Sequence, residues 1–182
     1  MYLYNSSRLL EIFSSKGVFV DKIRIAVSGT GGGVGQSIIK ALQGTNYDVV
    51  ALDGDSLATG VYATGTSYII PYANDSDYLD RVLDICKNEN CKLFFPGLDA
   101  ELELLSKSID RFKEIGTELV VSRPEVISVS DDKLLTYIKL SECGVKVPYT
   151  TKLSDSSSLP SLPFIVKPRV GGARSKDVFL VK

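Results

Sequence analysis

Between an apolar stretch ending at Val27 and a helix-spaced stretch beginning near Ile38, five glycines fall within seven positions: Gly29-Thr30-Gly31-Gly32-Gly33-Val34-Gly35. Glycines at a strand-to-helix junction let backbone amides approach an anion closely, and the helix N-terminus adds partial positive charge. A second glycine-bearing loop lies near the end of the chain. It runs from Arg169 to Asp177 and holds Gly171-Gly172 and three basic residues, Arg169, Arg174 and Lys176. Absences bound the available chemistry. The sequence has no histidine and three cysteines, Cys86, Cys91 and Cys143. A four-ligand zinc site would lack imidazole and fall one thiolate short, and no metal ligands are assigned. Neither a Ser-His-Asp nor a Cys-His arrangement is available. Catalysis therefore falls to carboxylates, lysines, arginines and backbone amides, and the cysteines read as buried thiols in a reducing cytosol.

The first glycine loop admits three readings. The strict dinucleotide pattern G-x-G-x-x-G fails, because the sixth position counted from Gly29 or Gly31 is Val34 or Gln36. A looser G-x-x-G-x-x-G over Gly29, Gly32 and Gly35 fits, as in some short-chain-reductase-like NAD(P)-binding proteins. Asp53 would then take ribose hydroxyls. No Tyr-x-x-x-Lys pair on a long helix after the fourth strand supports that reading. A second reading needs the glycines only for tight helix–strand packing. In the third, the loop faces a small substrate near the strand ends. Gly31, Gly32, Gly33, Asp53, Asp99 and Glu101 are its candidate contacts, and the acidic groups suit a substrate bearing an amino group.

The elements that must position these residues follow from apolar spacing. Ile23, Ile25 and Val27 read as a strand, Ile38, Ile39 and Leu42 as a helix, and Val49 to Leu52 as a second strand ending at Asp53. Tyr68 to Ile70 is a short third strand, and Leu79, Val82, Leu83 and Cys86 share a helix face. Lys92 to Phe95 is a fourth strand, Leu102, Leu105, Ile109 and Phe112 are spaced as one helix, and Glu118 to Val121 is a fifth strand. This alternation predicts an α/β, Rossmann-like parallel sheet with helices on both faces, with ligands at the carboxyl edge where strand order reverses. The chain has 182 residues, 44% of them apolar, and a net charge of −1. Those values fit one domain and part of a second, with no nucleic-acid or membrane partner and a cytoplasmic location. Residues 1–22, with a short amphipathic helix around Leu9 and Phe13, read as an extension, and residues 23–129 as the first domain.

After Val121 the pattern changes. Ser130-Asp131-Asp132-Lys133 looks like a helix start, with Leu134, Leu135 and Ile138 as apolar positions, Gly144 ending it and Pro148 enforcing the stop. Phe164 to Val166 and Val178 to Val181 flank the basic loop and predict an antiparallel hairpin outside the parallel sheet. Residues 130–182 thus read as the start of a second domain.

The order from Asp132 onward carries a resemblance. A helix opened by Asp132-Lys133, an exit at Gly144-Val145-Lys146-Val147-Pro148, and Phe164-Ile165-Val166-Lys167-Pro168 before a Gly-Gly loop resemble the ATP-grasp superfamily. Residues from Ile23 resemble the pre-ATP-grasp domain that precedes it, including Asp53-Gly54-Asp55, Pro96 to Glu101 and Ser122 to Glu125. The flavour is that of the carbamoyl phosphate synthetase large-subunit-like group, including the amino-acid ligase of pyrrolysine synthesis. The resemblance implies ATP as cofactor, with Mg2+ in the complete enzyme, and a carboxylate activated as an acyl phosphate for attack by an amine. It implies Lys133 and Lys167 as phosphate lysines, and Gly171, Gly172, Arg174 and Ser175 as the phosphate-covering loop. Where the commonest form of that loop has a glycine after the serine, this sequence has Lys176. Without the resemblance, Lys133 reads as a first-turn solvent residue and Lys167 as a solvated edge lysine.

The expectation is therefore an N-terminal portion of an ATP-dependent carboxylate–amine ligase, taking ATP and a small carboxylate or amino acid. A homodimer is compatible with it. By the resemblance, the adenine hinge and the metal-binding acidic residues lie beyond Val166-Lys167-Pro168, so this polypeptide alone is not expected to complete ligation. An NAD(P)-binding protein and a non-catalytic binding or interface module are the alternatives.

Overall fold

The computed structural model describes residues 22–171 and 176–182. The helix anticipated around Leu9 and Phe13, and Gly172, Arg174 and Ser175 of the second loop, lie outside the described residues.

Strand β1 (Ile23–Val27) is the centre of the parallel sheet, pairing with β2 (Tyr47–Asp53) on one side and β4 (Leu93–Phe95) on the other. β3 (Thr66–Ile69) adds beyond β2, and β5 (Glu118–Leu119) beyond β4, all parallel. The resulting order, β3-β2-β1-β4-β5, reverses between β1 and β4. Helix α1 (Gly33–Leu42) follows β1, α2 (Tyr78–Asn88) follows β3, and α3 (Asp99–Ser106) and α4 (Ile109–Glu114) follow β4.

Side chains alternate across a strand, so neighbours in sequence feed opposite layers. Ile25 and Val27 pack with Ile39 of α1 and Val49. Ala26, Val50 and Leu52 face the other way, onto Tyr78, Val82, Leu105 and Phe112. Helices on both faces are thus required by the strand sequences. In the second layer Phe94 and Phe112 stack with ring centroids 5.4 Å apart. Burying each ring stabilises the fold by roughly 1.5–3 kcal/mol.

The parallel α/β architecture agrees with the sequence expectation, and three details differ. The single helix expected from Leu102 to Phe112 is broken at Lys107 and Ser108. There the hydroxyls of Ser106 and Ser108 bond the carbonyls of Glu103 and Leu104, and serines that compete for helix carbonyls favour such interruptions. The fifth strand is shorter than expected, at Glu118–Leu119. Helix α5 (Pro124–Asp131), opened by a proline that fits the first helical turn, had no counterpart in the sequence reading.

Helix α6 (Lys133–Glu142) starts directly after α5, with Asp132 between them, and ends where Gly144 takes a positive φ of 73°. The hairpin of β6 (Phe164–Val166) and β7 (Phe179–Val181) is antiparallel and separate from the main sheet, as its flanking apolar runs suggest. Cys86 and Cys91 are buried thiols, whereas Cys143, which caps the end of α6, is exposed and departs from the buried reading. Among the described residues no helix is long and apolar enough to cross a membrane.

Candidate functional site

Two clusters collect the residues singled out in the sequence. The first sits at the carboxyl edge of the sheet, where β1 and β4 separate. Its walls approach so closely that a Cβ on Gly97 would lie 2.1 Å from the Ser28 carbonyl oxygen, and one on Gly35 would lie 2.4 Å from that of Gly29. Gly35 therefore has the packing role of the second reading above, and Gly97 lies equally close against the β1 loop.

A cavity of about 400 Å³ opens at this edge, and Gly31, Gly32, Asp53, Asp55, Leu57 and Tyr72 are among its lining residues. Among the described residues no lysine or arginine lines it. Of the expected substrate contacts, Gly31, Gly32, Asp53 and Glu101 belong to the lining, whereas Gly33 and Asp99 stand outside it. Asp99 is exposed at the start of α3.

Asp53 holds the glycine loop. Its Oδ2 accepts from the Gly31 amide at 2.7 Å, and its Oδ1 from the Asp55 amide at 3.0 Å. The Gly32 amide donates to the Gly29 carbonyl at 2.9 Å. Two amides that a bound phosphate would need are thus engaged inside the protein, and so is the carboxylate that would take ribose hydroxyls.

Glu101, a candidate substrate contact by sequence, is fully buried. Its Oε1 accepts from the Gly97 amide at 2.8 Å, the Leu98 amide at 2.9 Å and the Ser28 hydroxyl at 2.6 Å. The Tyr78 hydroxyl donates to Oε2. Burial pushes the carboxyl above its usual range, and the hydrogen bonds from Ser28, Tyr78 and the loop amides oppose that shift. Burial, then the neighbouring Glu101 charge, pushes the Tyr78 phenol upward as well. The arrangement bolts the β1 loop, the β4 loop and α2 together at the cavity floor.

The second cluster joins α6 to the segment after β6. Asp132 caps α6, its Oδ1 accepting from the amides of Leu134 at 2.9 Å and Leu135 at 3.0 Å. Its Oδ2 accepts from Arg169 through Nε at 2.7 Å and Nη2 at 2.6 Å. The Arg169 guanidinium, helped by the cap amides, holds the Asp132 carboxyl down at about 2. The Lys133 amide donates to the Arg169 carbonyl at 2.9 Å, and Lys133 Nζ donates to the Gly171 carbonyl at 2.7 Å. Lys167 is exposed, two residues before Arg169. The segments bearing the two expected phosphate lysines are therefore brought together. The Asp132–Arg169 pair escaped the sequence reading, since an aspartate before a helix signals a cap but says nothing of a partner 37 positions away.

A doubly wound parallel sheet with its cavity at the strand-order reversal, followed by a capped helix and a separate antiparallel hairpin, is the pre-ATP-grasp architecture of the ATP-grasp superfamily. Residues 23–120 match the family described as PylC-like, N-terminal domain, and the chain belongs to that family. No curated protein sequence matches the chain.

Solved structures share the fold at low identity. N5-carboxyaminoimidazole synthetase from Staphylococcus aureus, complexed with ADP, is 21% identical with a TM-score of 0.60, over 87% of this chain and 41% of its own. Rhizobium etli pyruvate carboxylase is 18% identical with a TM-score of 0.63, over 88% of this chain and 15% of its own. The biotin carboxylase domain dimer of Hydrogenobacter thermophilus 2-oxoglutarate carboxylase, with MgADP, ADP and bicarbonate, is 18% identical with a TM-score of 0.61, over 86% of this chain and 37% of its own. The chain spans less than half the length of each of these proteins.

Proposed function

We propose that this chain is the front part of an ATP-dependent carboxylate–amine ligase, contributing part of the phosphate site and part of the substrate site. The observation that carries the reading is the docking of Lys133 onto the segment after Lys167, through Arg169 and Gly171. Cations on two separate elements suit the several negative charges of a nucleotide triphosphate. ATP would supply the phosphoryl group that activates a carboxylate as an acyl phosphate, from which an amine displaces phosphate. Lys133 and Lys167 would neutralise and orient the phosphates, with Gly171, Gly172, Arg174 and Ser175 covering them. The cavity at Gly31, Gly32 and Asp53 would hold the small carboxylate or amino-acid substrate. Residues 23–129 would form the first domain and 130–182 the opening of the second, working in the cytoplasm.

Among the described residues no three histidine, cysteine, aspartate or glutamate side chains gather as a metal site. The dinucleotide alternative has less support, because Asp53 and the Gly31 and Gly32 amides already bond within the loop. Thermal-shift titration separates the readings. ATP is expected to raise the melting temperature of the chain and NADPH to leave it unchanged; the reverse pattern would overturn the proposal.

A further inference from the structure

The ion pair between Asp132 and Arg169 occupies neither the phosphate lysines nor the substrate cavity, and it lies between the two lysine-bearing segments. Lys133 follows Asp132 directly in the chain, and Lys167 precedes Arg169 by two residues. Asp132 is 8% exposed and uses its two oxygens for different tasks. Oδ1 fixes the first turn of α6 through Leu134 and Leu135, while Oδ2 takes both Nε and Nη2 of Arg169. The Lys133 amide on the Arg169 carbonyl adds a backbone tie beside the side-chain pair. An ordinary helix cap needs only one of these oxygens. A planar guanidinium held through two nitrogens fixes direction as well as distance, which a lysine in its place would not.

We infer that Asp132 and Arg169 are positioning residues that set the separation between Lys133 and Lys167, and so the affinity for a polyphosphate. The inference rests on the reading that these lysines meet the phosphates of ATP. Neither Asp132 nor Arg169 touches the nucleotide in this account. Their effect passes through the start of α6 and through the segment after β6. Misplacing a positioned group by about 1 Å is enough to lower its effectiveness severalfold or more. Lys133 Nζ, now on the Gly171 carbonyl, would exchange that acceptor for a phosphate oxygen without leaving the cluster.

The test uses calorimetric titration of the full chain with ATP and with inorganic tripolyphosphate, which reports on the phosphate lysines alone. Asp132→Asn retains a good cap and loses the charge, and Arg169→Gln loses the cation without touching the cap. Each is expected to weaken both ligands by about fivefold to tenfold. The double variant should be no weaker than either single, since the two act as one unit. Arg169→Lys should recover part of the loss. Helix content should stay close to that of the unmodified chain, while the thermal midpoint at neutral pH falls modestly in both variants as the ion pair is lost. Should Asp132→Asn fail to fold, the Arg169→Gln and Arg169→Lys comparison decides alone. Unchanged affinities in the pair variants, with binding abolished by Lys133→Ala, would overturn this inference and leave the ATP reading standing. Additive losses in the double variant would also overturn it, because the two residues would then act separately. An unmodified chain that binds neither ligand would overturn both.

Discussion

Ser28 and Glu101, 73 positions apart, meet across the reversal of strand order, where the Ser28 hydroxyl donates to Glu101 Oε1 at 2.6 Å. The same oxygen gathers the amides of Gly97 and Leu98, so one buried carboxylate closes the loops after β1 and β4 around itself. The cavity floor depends on it, which links the stability of the sheet edge to the shape of the proposed substrate site.

Removing that carboxylate should therefore cost more than an ordinary surface change. Glu101→Ala leaves the Ser28 and Tyr78 hydroxyls and the Leu98 amide without their acceptor, and leaves the Gly97 amide only the Ser28 hydroxyl oxygen at 3.1 Å. The expected destabilisation is roughly 3 kcal/mol or more, read as a lower denaturant midpoint at unchanged slope. A midpoint within experimental error of the unmodified chain would show that the network is not structural.

Two of the shifted carboxyls, Asp132 and Glu101, predict opposite pH dependences. The folded value of Asp132 is depressed from 3.8 to about 2. Its contribution is therefore present above pH 3.8 and lost as the pH falls towards 2. Asp132→Asn should remove that acid-side loss of stability. The folded value of Glu101 is raised above 4.5 by burial, so its contribution declines as pH rises from 4.5 through the raised value. Glu101→Gln should flatten that decline. Urea titrations at several pH values check both, and identical pH profiles in the variants and the unmodified chain would count against the assignment.

Glycine positions separate packing from ligand access. Gly97→Ala would place a Cβ 2.1 Å from the Ser28 carbonyl oxygen, which the backbone must move to relieve. A loss on the order of 3 kcal/mol is expected. Gly33→Ala meets nothing within 4 Å and should change stability by no more than about 0.5 kcal/mol. Equal effects at the two positions, read by thermal denaturation, would contradict the close approach of the β1 and β4 loops.

Much of the fold was legible because β1 and β2 carry apolar residues that only a sheet covered on both faces can bury. The hairpin was legible for a related reason, since two short apolar runs flank a basic, glycine-bearing loop. Helix α5 was not, because its eight residues, Pro124–Asp131, bury none fully and show no strong apolar stripe. The site was legible by residue type but not by partnership. Asp53 ends β2 and Glu101 lies in the first turn of α3, and sequence does not say that one ties down Gly31 while the other is buried under Tyr78 and Ser28. Asp132 likewise announces a helix start, whereas its bond to Arg169 arises only when β6 brings that residue to the helix.

The central claim is that the cluster of Lys133, Lys167 and the loop after β6 receives ATP phosphates, while the first glycine loop does not. An amide-resolved NMR titration of the full chain with ATP tests it most directly. The account predicts saturable shifts at Lys133, Lys167, Arg169 and Gly171, absent in Lys133→Ala, with Gly31, Gly32 and Gly33 unmoved. Shifts centred on Gly31 to Gly35, with Lys133 and Arg169 unmoved, would contradict it.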